Sequence, residues 1–313
     1  MVFEVAKRLN VKACAVVDSD LRSITPEWIE LLLRPILEEG DYVAPYYLRH
    51  KYDGTITNSL VYPLTRALYG VQIRQPIGGD FGFSGKLVGH YVDKHVWESD
   101  VARFGIGIRM TTEAVACGAL VCQSFLGAKL HNPKDPAADL SAMVTQVVGA
   151  VFALMEEHQQ VWIPLRGSSL VPLFGFQYEV GVEPVNVHVD RMIAGFRQGL
   201  VDLRPVWELM LAPETLQVLH ATADLPPHRF DIPDEAWART VYDCAAAFHR
   251  QVLNREHLVK AMTPLYLGRT ASFVVETEGL TTREAEERIE ELGRVFEQRK
   301  PYLLERWGAA KEE

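Results

Sequence analysis

The chain has 313 residues, 48% of them apolar, which is enough for one large domain or two smaller ones with a sizeable core. A formal net charge of −9 argues against a general nucleic-acid or anionic-membrane surface. No apolar run approaches the roughly 20 residues needed to cross a bilayer, and Glu4, Lys7 and Arg8 interrupt any secretory signal. The four cysteines, Cys14, Cys117, Cys122 and Cys244, have no zinc spacing; the first three lie in apolar segments and read as core residues of a reduced, cytoplasmic protein.

In chain order, residues 1–9 carry Val2, Phe3, Val5, Ala6 and Leu9 as an apolar helical stripe with no N-cap. So short a helix is marginal alone, and the expectation is a domain whose first strands precede Met1. Residues 12–17 read as a buried strand delivering Asp18 and Asp20 to its tip. Paired carboxylates there suit a hard divalent cation, and equally a turn or helix cap. Thr25, Pro26 and Glu27 open a helix over 26–39 that Gly40 stops. A second strand follows at 42–46, then a polar loop over 48–56 and a helix over 57–69. Residues 71–74 are extended and lead into the glycine-rich bend Gln75-Pro76-Ile77-Gly78-Gly79-Asp80, with the bend continuing to Ser84.

Residues 85–104 read as a helix broken by charge, 105–108 as flexible and 110–117 as a helix. A strand over 120–126 runs into Gly127-Ala128-Lys129-Leu130-His131-Asn132. The period over 139–158 is that of a long amphipathic helix whose Met and aromatic residues are core. Proline and glycine concentrate in 161–186 and place a boundary near 160–180, dividing the chain into 1–165 and a helical 166–313. Helices are expected at 187–201, 205–211, 213–221, 234–257 and 281–299, the last opened by a Thr281/Glu284 capping box. Residues 309–313 read as a disordered tail.

Three stretches could meet at one end of an α/β sheet: Asp18 and Asp20, the Gly78-Gly79-Asp80 bend, and His131, whose imidazole would complete a metal site. Arg49, Lys51, Thr57 and Asn58, on a loop entering a helix, suit a small anion such as a carboxylate or phosphate, or form a solvated loop. Nucleophile-elbow, zincin, Walker and dinucleotide fingerprints are absent.

Taken together and in order, these segments resemble a family. Asp18-Ser19-Asp20 is similar to the DxD motif of GT-A glycosyltransferases. Residues 75–80 resemble the Q-P-L-[AG]-G-E segment of retaining enzymes that make mannosylglycerate or glucosyl-3-phosphoglycerate, and residues 127–132 resemble their downstream histidine segment. The resemblance spans roughly residues 10–160, with the helical part, including Phe196, Trp207 and Pro213, resembling the family's helical extension.

It implies a GT-A-like (Rossmann-like) mixed α/β sheet, incomplete at its N-terminus in 1–165, followed by a mostly helical region. It implies Mg²⁺ or Mn²⁺ held by Asp20 and His131 with Asp18 assisting, and a nucleotide-sugar donor met by Ser19, Gly78 and Gly79. Asp80 would be the catalytic-site acid beside the donor sugar. Arg49, Lys51, Thr57 and Asn58 would bind a small acidic acceptor such as glycerate or phosphoglycerate. No nucleic-acid partner and no membrane span are expected, and a homodimer is left open. The match departs from the family in the short stretch before Asp18 and at Gly107, which takes the place of an acid; Glu113 and Asp100 are the acids that could stand in. Two other readings remain: a non-catalytic or degenerate relative that binds a sugar, metal or partner, and a haloacid-dehalogenase-type phosphatase using Asp18 as nucleophile and Asp20 as acid.

Overall fold

The computed structural model describes residues 2–94, 105–130, 136–177 and 181–308, with the backbone alone over 136–141. Helix α1 (Val2–Arg8) precedes strand β1 (Ala13–Val16), helix α2 (Pro26–Leu37) and strand β2 (Tyr42–Leu48). A π-helical turn (Thr57–Val61) continues into α3 (Tyr62–Tyr69), and the short strand β3 (Val71–Gln72) leads through the bend to β4 (Phe81–Ser84). Then come α4 (Gly85–Asp93), α5 (Ile106–Ala116), β5 (Val121–Ala128), α6 (Pro136–Glu157) and α7 (Gln159–Trp162). Two short strands, β6 (Ser169–Leu170) and β7 (Leu173–Phe174), precede seven helices: α8 (Val189–Asp202), α9 (Arg204–Met210), α10 (Pro213–Ala223), α11 (Asp234–His249), α12 (Arg255–Ala261), α13 (Thr263–Thr277) and α14 (Thr282–Trp307).

The main sheet is mixed, in the order β1-β4-β2-β5-β7. Strand β4 runs antiparallel to both β1 and β2, whereas β2, β5 and β7 run parallel. The C-terminal ends of β1, β2 and β5 therefore share one end of the sheet with the start of β4. A mixed sheet followed by a helical region is the expected class.

Two side chains explain how that end opens. Pro45, in the middle of β2, has no N–H to offer a neighbour, and β4 pairs with β2 only through Tyr42 and Val43. Beyond Pro45 the place of a strand is taken by Gln75: its carboxamide accepts from the Tyr47 N–H (3.2 Å) and donates to the Tyr47 carbonyl (3.0 Å). The backbone of β2 stays satisfied while the bend is drawn against it.

The largest apolar cluster runs from Ile56 to Trp307 and joins α3 and α6 to the C-terminal helices. A smaller cluster around Tyr42, Phe81, Phe83 and Tyr91 lies on one side of the sheet, and another around Trp28, Leu32 and Val43 packs α2 against it. The main sheet takes its fifth strand, β7, from beyond residue 165.

Several expectations are corrected. Residues 81–84 form a strand, not the end of a bend. Residues 106–108 are the first turn of α5, held by Thr111, whose hydroxyl meets the carbonyls of Pro76 (2.6 Å) and Gly107 (3.2 Å). The helix expected over 234–257 is two, parted by a turn in which Asn254 caps α12. Helix α13 was not expected at all. Thr25 occupies the N-cap backbone position of α2 without a side-chain cap bond. Cys117 is exposed rather than core, as is Met143 on α6. The Thr281/Glu284 capping box is present in full. Residues 95–104 and the 309–313 tail lie outside the described residues.

Candidate functional site

The shared strand ends converge on Asp80. This carboxylate is 0% exposed, a position a charge tolerates only when paired and hydrogen-bonded. Its Oδ1 accepts the Asp18 backbone N–H (2.8 Å), and its Oδ2 accepts the Lys129 ammonium (3.0 Å) and the Tyr47 hydroxyl. Lys129 Nζ also donates to Asp18 Oδ2 (2.8 Å) and to the Gly78 carbonyl (2.6 Å), so three donors meet three acceptors. The ammonium lies 5.0 Å from the centre of the Tyr47 ring. Burial first, and then the Asp80 charge, push the Tyr47 hydroxyl far above its ordinary pKa, so it remains a donor at neutral pH.

The two glycines are fixed by contact. A Cβ on Gly79 would stand 2.1 Å from Asp18 Oδ2, and its φ of +92° is one that side chains avoid. A Cβ on Gly78 would stand 2.2 Å from the Pro45 ring. The bend thus lies directly against Asp18 and against β2.

Asp18, whose side chain is 43% exposed, Ser19 and Asp20 form the surface of this end. The loop that follows is tied to the end of β5: the Arg22 N–H donates to the Leu130 carbonyl (2.9 Å) and the Leu130 N–H to Ser23 Oγ (3.0 Å). Two exposed carboxylates are a hard-oxygen donor set that fits Mg²⁺ or Mn²⁺. Lys129 holds one oxygen of Asp18. His131 lies outside the described residues, directly after Leu130 in sequence.

The acceptor candidates fall into two kinds. Lys51 donates to the carbonyls of Thr277 (2.7 Å), Glu278 (3.1 Å) and Leu280 (2.8 Å), closing the end of α13. Asn58 donates to the Asp53 carbonyl (3.1 Å) and accepts from Arg74 (2.9 Å), which is itself paired in a bidentate manner with Glu286. Thr57 is buried in the π-helical turn. Arg49 differs: its guanidinium lies 5.4 Å from the Tyr47 ring centre, reaches Asp53 at 3.5 Å, and keeps a buried Nε without a partner. Its Nε is a buried donor left over beside Tyr47, a partner of Asp80.

Glu113 does not stand in near the bend. It is buried on α5, where His90 (2.6 Å) and Lys94 (2.6 Å) meet its Oε1. Burial raises its pKa, but the neighbouring His158, Lys94 and His90 outweigh burial and hold the carboxyl far below its usual range. Gly107 packs on Ile77 of the bend, with room for a Cβ at 3.5 Å. Asp100 lies outside the described residues.

Tyr47 and Lys129 are the site residues that sequence reasoning missed. Lys129 carried a signal, as a lone cation just past the end of an uncharged strand. Tyr47 carried none, because Tyr46 beside it is the same residue type on the opposite face.

No protein-family model matches the chain, and no curated protein matches it. Among solved structures it is similar to glucosyl-3-phosphoglycerate synthase from Mycobacterium tuberculosis. The complex of that protein with Mn²⁺, UDP-glucose and phosphoglyceric acid is 21% identical at a TM-score of 0.39, covering 50% of this chain and 53% of that one. The complex with Mn²⁺, UDP and glucosyl-3-phosphoglycerate is 22% identical at 0.40, covering 49% and 53%. The chain spans about half the length of these structures. So distant a likeness leaves the functional reading to rest on the chain's own residues.

Proposed function

We propose that the chain belongs to a metal-dependent, retaining GT-A-type glycosyltransferase that moves a hexose from a nucleoside-diphosphate sugar to a small acidic acceptor. The observation that carries this is the meeting of Asp18, the Gly78-Gly79-Asp80 bend and Lys129 at one end of the sheet. These are the three segments whose order resembles the family. Mn²⁺ or Mg²⁺, when bound, supplies a Lewis acid for the departing diphosphate; Asp20 and Asp18 would hold it, with His131.

The chain's own residues have separable tasks. Gly79, half-buried, leaves backbone without a side chain where a sugar would lie, and Gly78 lets the bend pack against Pro45. Lys129 and Tyr47 hold the buried Asp80 carboxyl in place. Arg49 offers its unpaired Nε–H to the acceptor's acid group. In the test, the full chain is titrated with UDP-glucose and Mn²⁺ by calorimetry and assayed for transfer to phosphoglycerate. Metal-dependent binding and transfer, both lost in Asp20→Ala, are expected; metal-independent transfer would overturn the proposal.

The phosphatase reading gains Lys129 beside Asp18, but Asp80 is sealed by its three partners and offers no second exposed acid. Release of phosphate from a simple phosphomonoester, abolished in Asp18→Asn, would favour it instead. Binding of donor without any transfer would favour the non-catalytic reading.

A further inference from the structure

A second cluster of chemically active side chains lies away from Asp80, where α5 meets the junction of α6 and α7. Glu113 projects from the third turn of α5, Glu157 is the last residue of α6, and His158 sits in the break before α7. One ligand atom from each lies within 4.8 Å of the other two. His158 is 4% exposed and Glu113 fully buried, yet His158 Nε2 and Glu113 Oε2 have no hydrogen-bond partner. They face each other at 3.4 Å, and His158 Nε2 stands 3.9 Å from Glu157 Oε1.

Two buried polar atoms that meet at 3.4 Å without completing a hydrogen bond are under-satisfied, and an ion that both could ligate would satisfy them. A tetrahedral ion with bonds of about 2.0–2.2 Å places its ligand atoms roughly 3.3–3.6 Å apart, and the 3.4 Å and 3.9 Å separations lie at or close to that spacing. The backbone of His158 is held on both sides, its N–H on the Leu154 carbonyl (3.0 Å) and its carbonyl accepting from Val161 (2.8 Å) and Trp162 (3.2 Å), so the imidazole is presented by a rigid turn.

We infer that Glu113, Glu157 and His158 form a site for a zinc-class divalent cation, separate from the carboxylates at the end of β1. One nitrogen and two carboxylate oxygens are a borderline donor set that zinc accepts with a water in the fourth position. Glu157, 40% exposed, gives the ion a way in. His90, at 2.6 Å from Glu113 Oε1, and two cations compete with the ion for these carboxylates. Lys94 lies 2.6 Å from Glu113 Oε1, and Arg109 grips Glu157 through both guanidinium nitrogens at 3.3 Å and 3.0 Å. These cations balance the two carboxylates in the metal-free protein. Lys94, 44% exposed, can swing into water when the ion enters, while Arg109 can keep one oxygen of Glu157 and leave a lone pair for the metal. The bound ion would clamp α5, whose first turn braces the Pro76-Ile77 bend through Thr111, to the α6–α7 junction.

The test is Zn²⁺ titration of the full-length metal-free protein by calorimetry, with Co²⁺ absorption in the visible as the readout of a tetrahedral site. His158→Gln is expected to lose one equivalent of Zn²⁺ and the Co²⁺ bands. Asp18→Asn/Asp20→Asn is expected to keep both. Lys94→Gln is expected to tighten Zn²⁺ binding about tenfold by removing a competing cation. If His158→Gln fails to fold by circular dichroism, Glu157→Gln, on the exposed side, is read instead and should weaken Zn²⁺ at least about tenfold. Equal Zn²⁺ stoichiometry and affinity in wild type and the ligand variant, or Co²⁺ bands lost with Asp18 and Asp20 rather than with His158, overturns the proposal.

Discussion

Asp80 shows how a single side chain fixes the geometry of a site. It has no solvent, so each of its partners substitutes for water, and removing one leaves a buried charge with less compensation than it needs. Lys129→Met deletes the only cation in direct contact among the described residues, and is expected to cost about 3–5 kcal/mol, measured as a lowered urea midpoint. Tyr47→Phe deletes one neutral donor and is expected to cost about 1–3 kcal/mol. The reverse order of these two losses would show that the Lys129–Asp80 pair contributes less than the Tyr47 hydroxyl. Gly79→Ala acts differently: its Cβ would collide with the Asp18 carboxylate at 2.1 Å, so Asp18 must move. Folding should persist with a modest loss, while the proposed Mn²⁺-dependent nucleotide binding should fall at least about tenfold; undiminished binding would show that Asp18 does not need its present position. Sequence alone could name Asp18, Gly79 and Asp80 as candidates, because acids and glycines at strand ends are local signals, although turns and caps use the same residues. It could not show that Lys51 and Asn58 would be consumed by Thr277, Glu278, Leu280 and Arg74, since those partners lie far away in the chain.

At the scale of elements, strands and helices with a clear period were legible. The strands around 12–17 and 120–126 and the helices opened by Pro26 and Thr281 stand where expected, because apolar spacing and caps are local signals. What was not legible depended on packing. Helix α13 carries Gly268 in its middle, a residue that lowers helical expectation; the glycine is needed because a Cβ there would stand 2.6 Å from the Phe196 ring of α8. Strand β4 follows two glycines and exists through its partners β1 and β2. Helix α14 offers a pH test. Its Lys300 is buried, donates to the Leu165 carbonyl (2.8 Å) and lies 5.9 Å from the Trp162 ring centre. Burial first, and then Arg166, lower its pKa to about 8 against a pull upward from Glu297. A lowered lysine pKa means that the unfolded chain holds its proton over a range where the folded protein has released it. Stability from this group therefore rises with pH between about 8 and about 10.4 and is lowest below that window. Relative to Lys300→Met, wild type should gain on the order of 3 kcal/mol across it; parallel stability curves for the two proteins would show that the folded lysine titrates normally.

At the scale of the whole molecule, the helices that follow β2 and β5 share one core and several ties with the C-terminal helices. The apolar cluster that holds Trp162, Trp207, Trp237 and Trp307 also holds Ile56, Leu60 and Leu64 from the loop and helix that follow β2. Polar ties run along the same seam. Arg66 pairs with Glu290 and Glu297 of α14, Arg74 with Glu286, and Lys51 closes α13. Most of these arginine nitrogens are buried, so separating the two parts would strand charges as well as expose apolar surface. Proline and glycine in 161–186 are read from sequence as a boundary, yet β7, within that stretch, is hydrogen-bonded into the main sheet beside β5. A connection built in this way transmits unfolding instead of isolating it. Hydrogen exchange read by mass spectrometry is therefore expected to give peptides from β2 and β5 and peptides from α11 and α14 the same opening free energy, within about 1 kcal/mol, because both are released only in global unfolding. Lys51→Met should speed exchange in the 49–55 loop and at the end of α13 while leaving that shared value nearly unchanged, since it removes a local clamp and no core contact. Helical peptides that stay protected long after the sheet peptides have exchanged would instead show two units that fold separately, with the Arg66 and Arg74 pairs contributing little to their union.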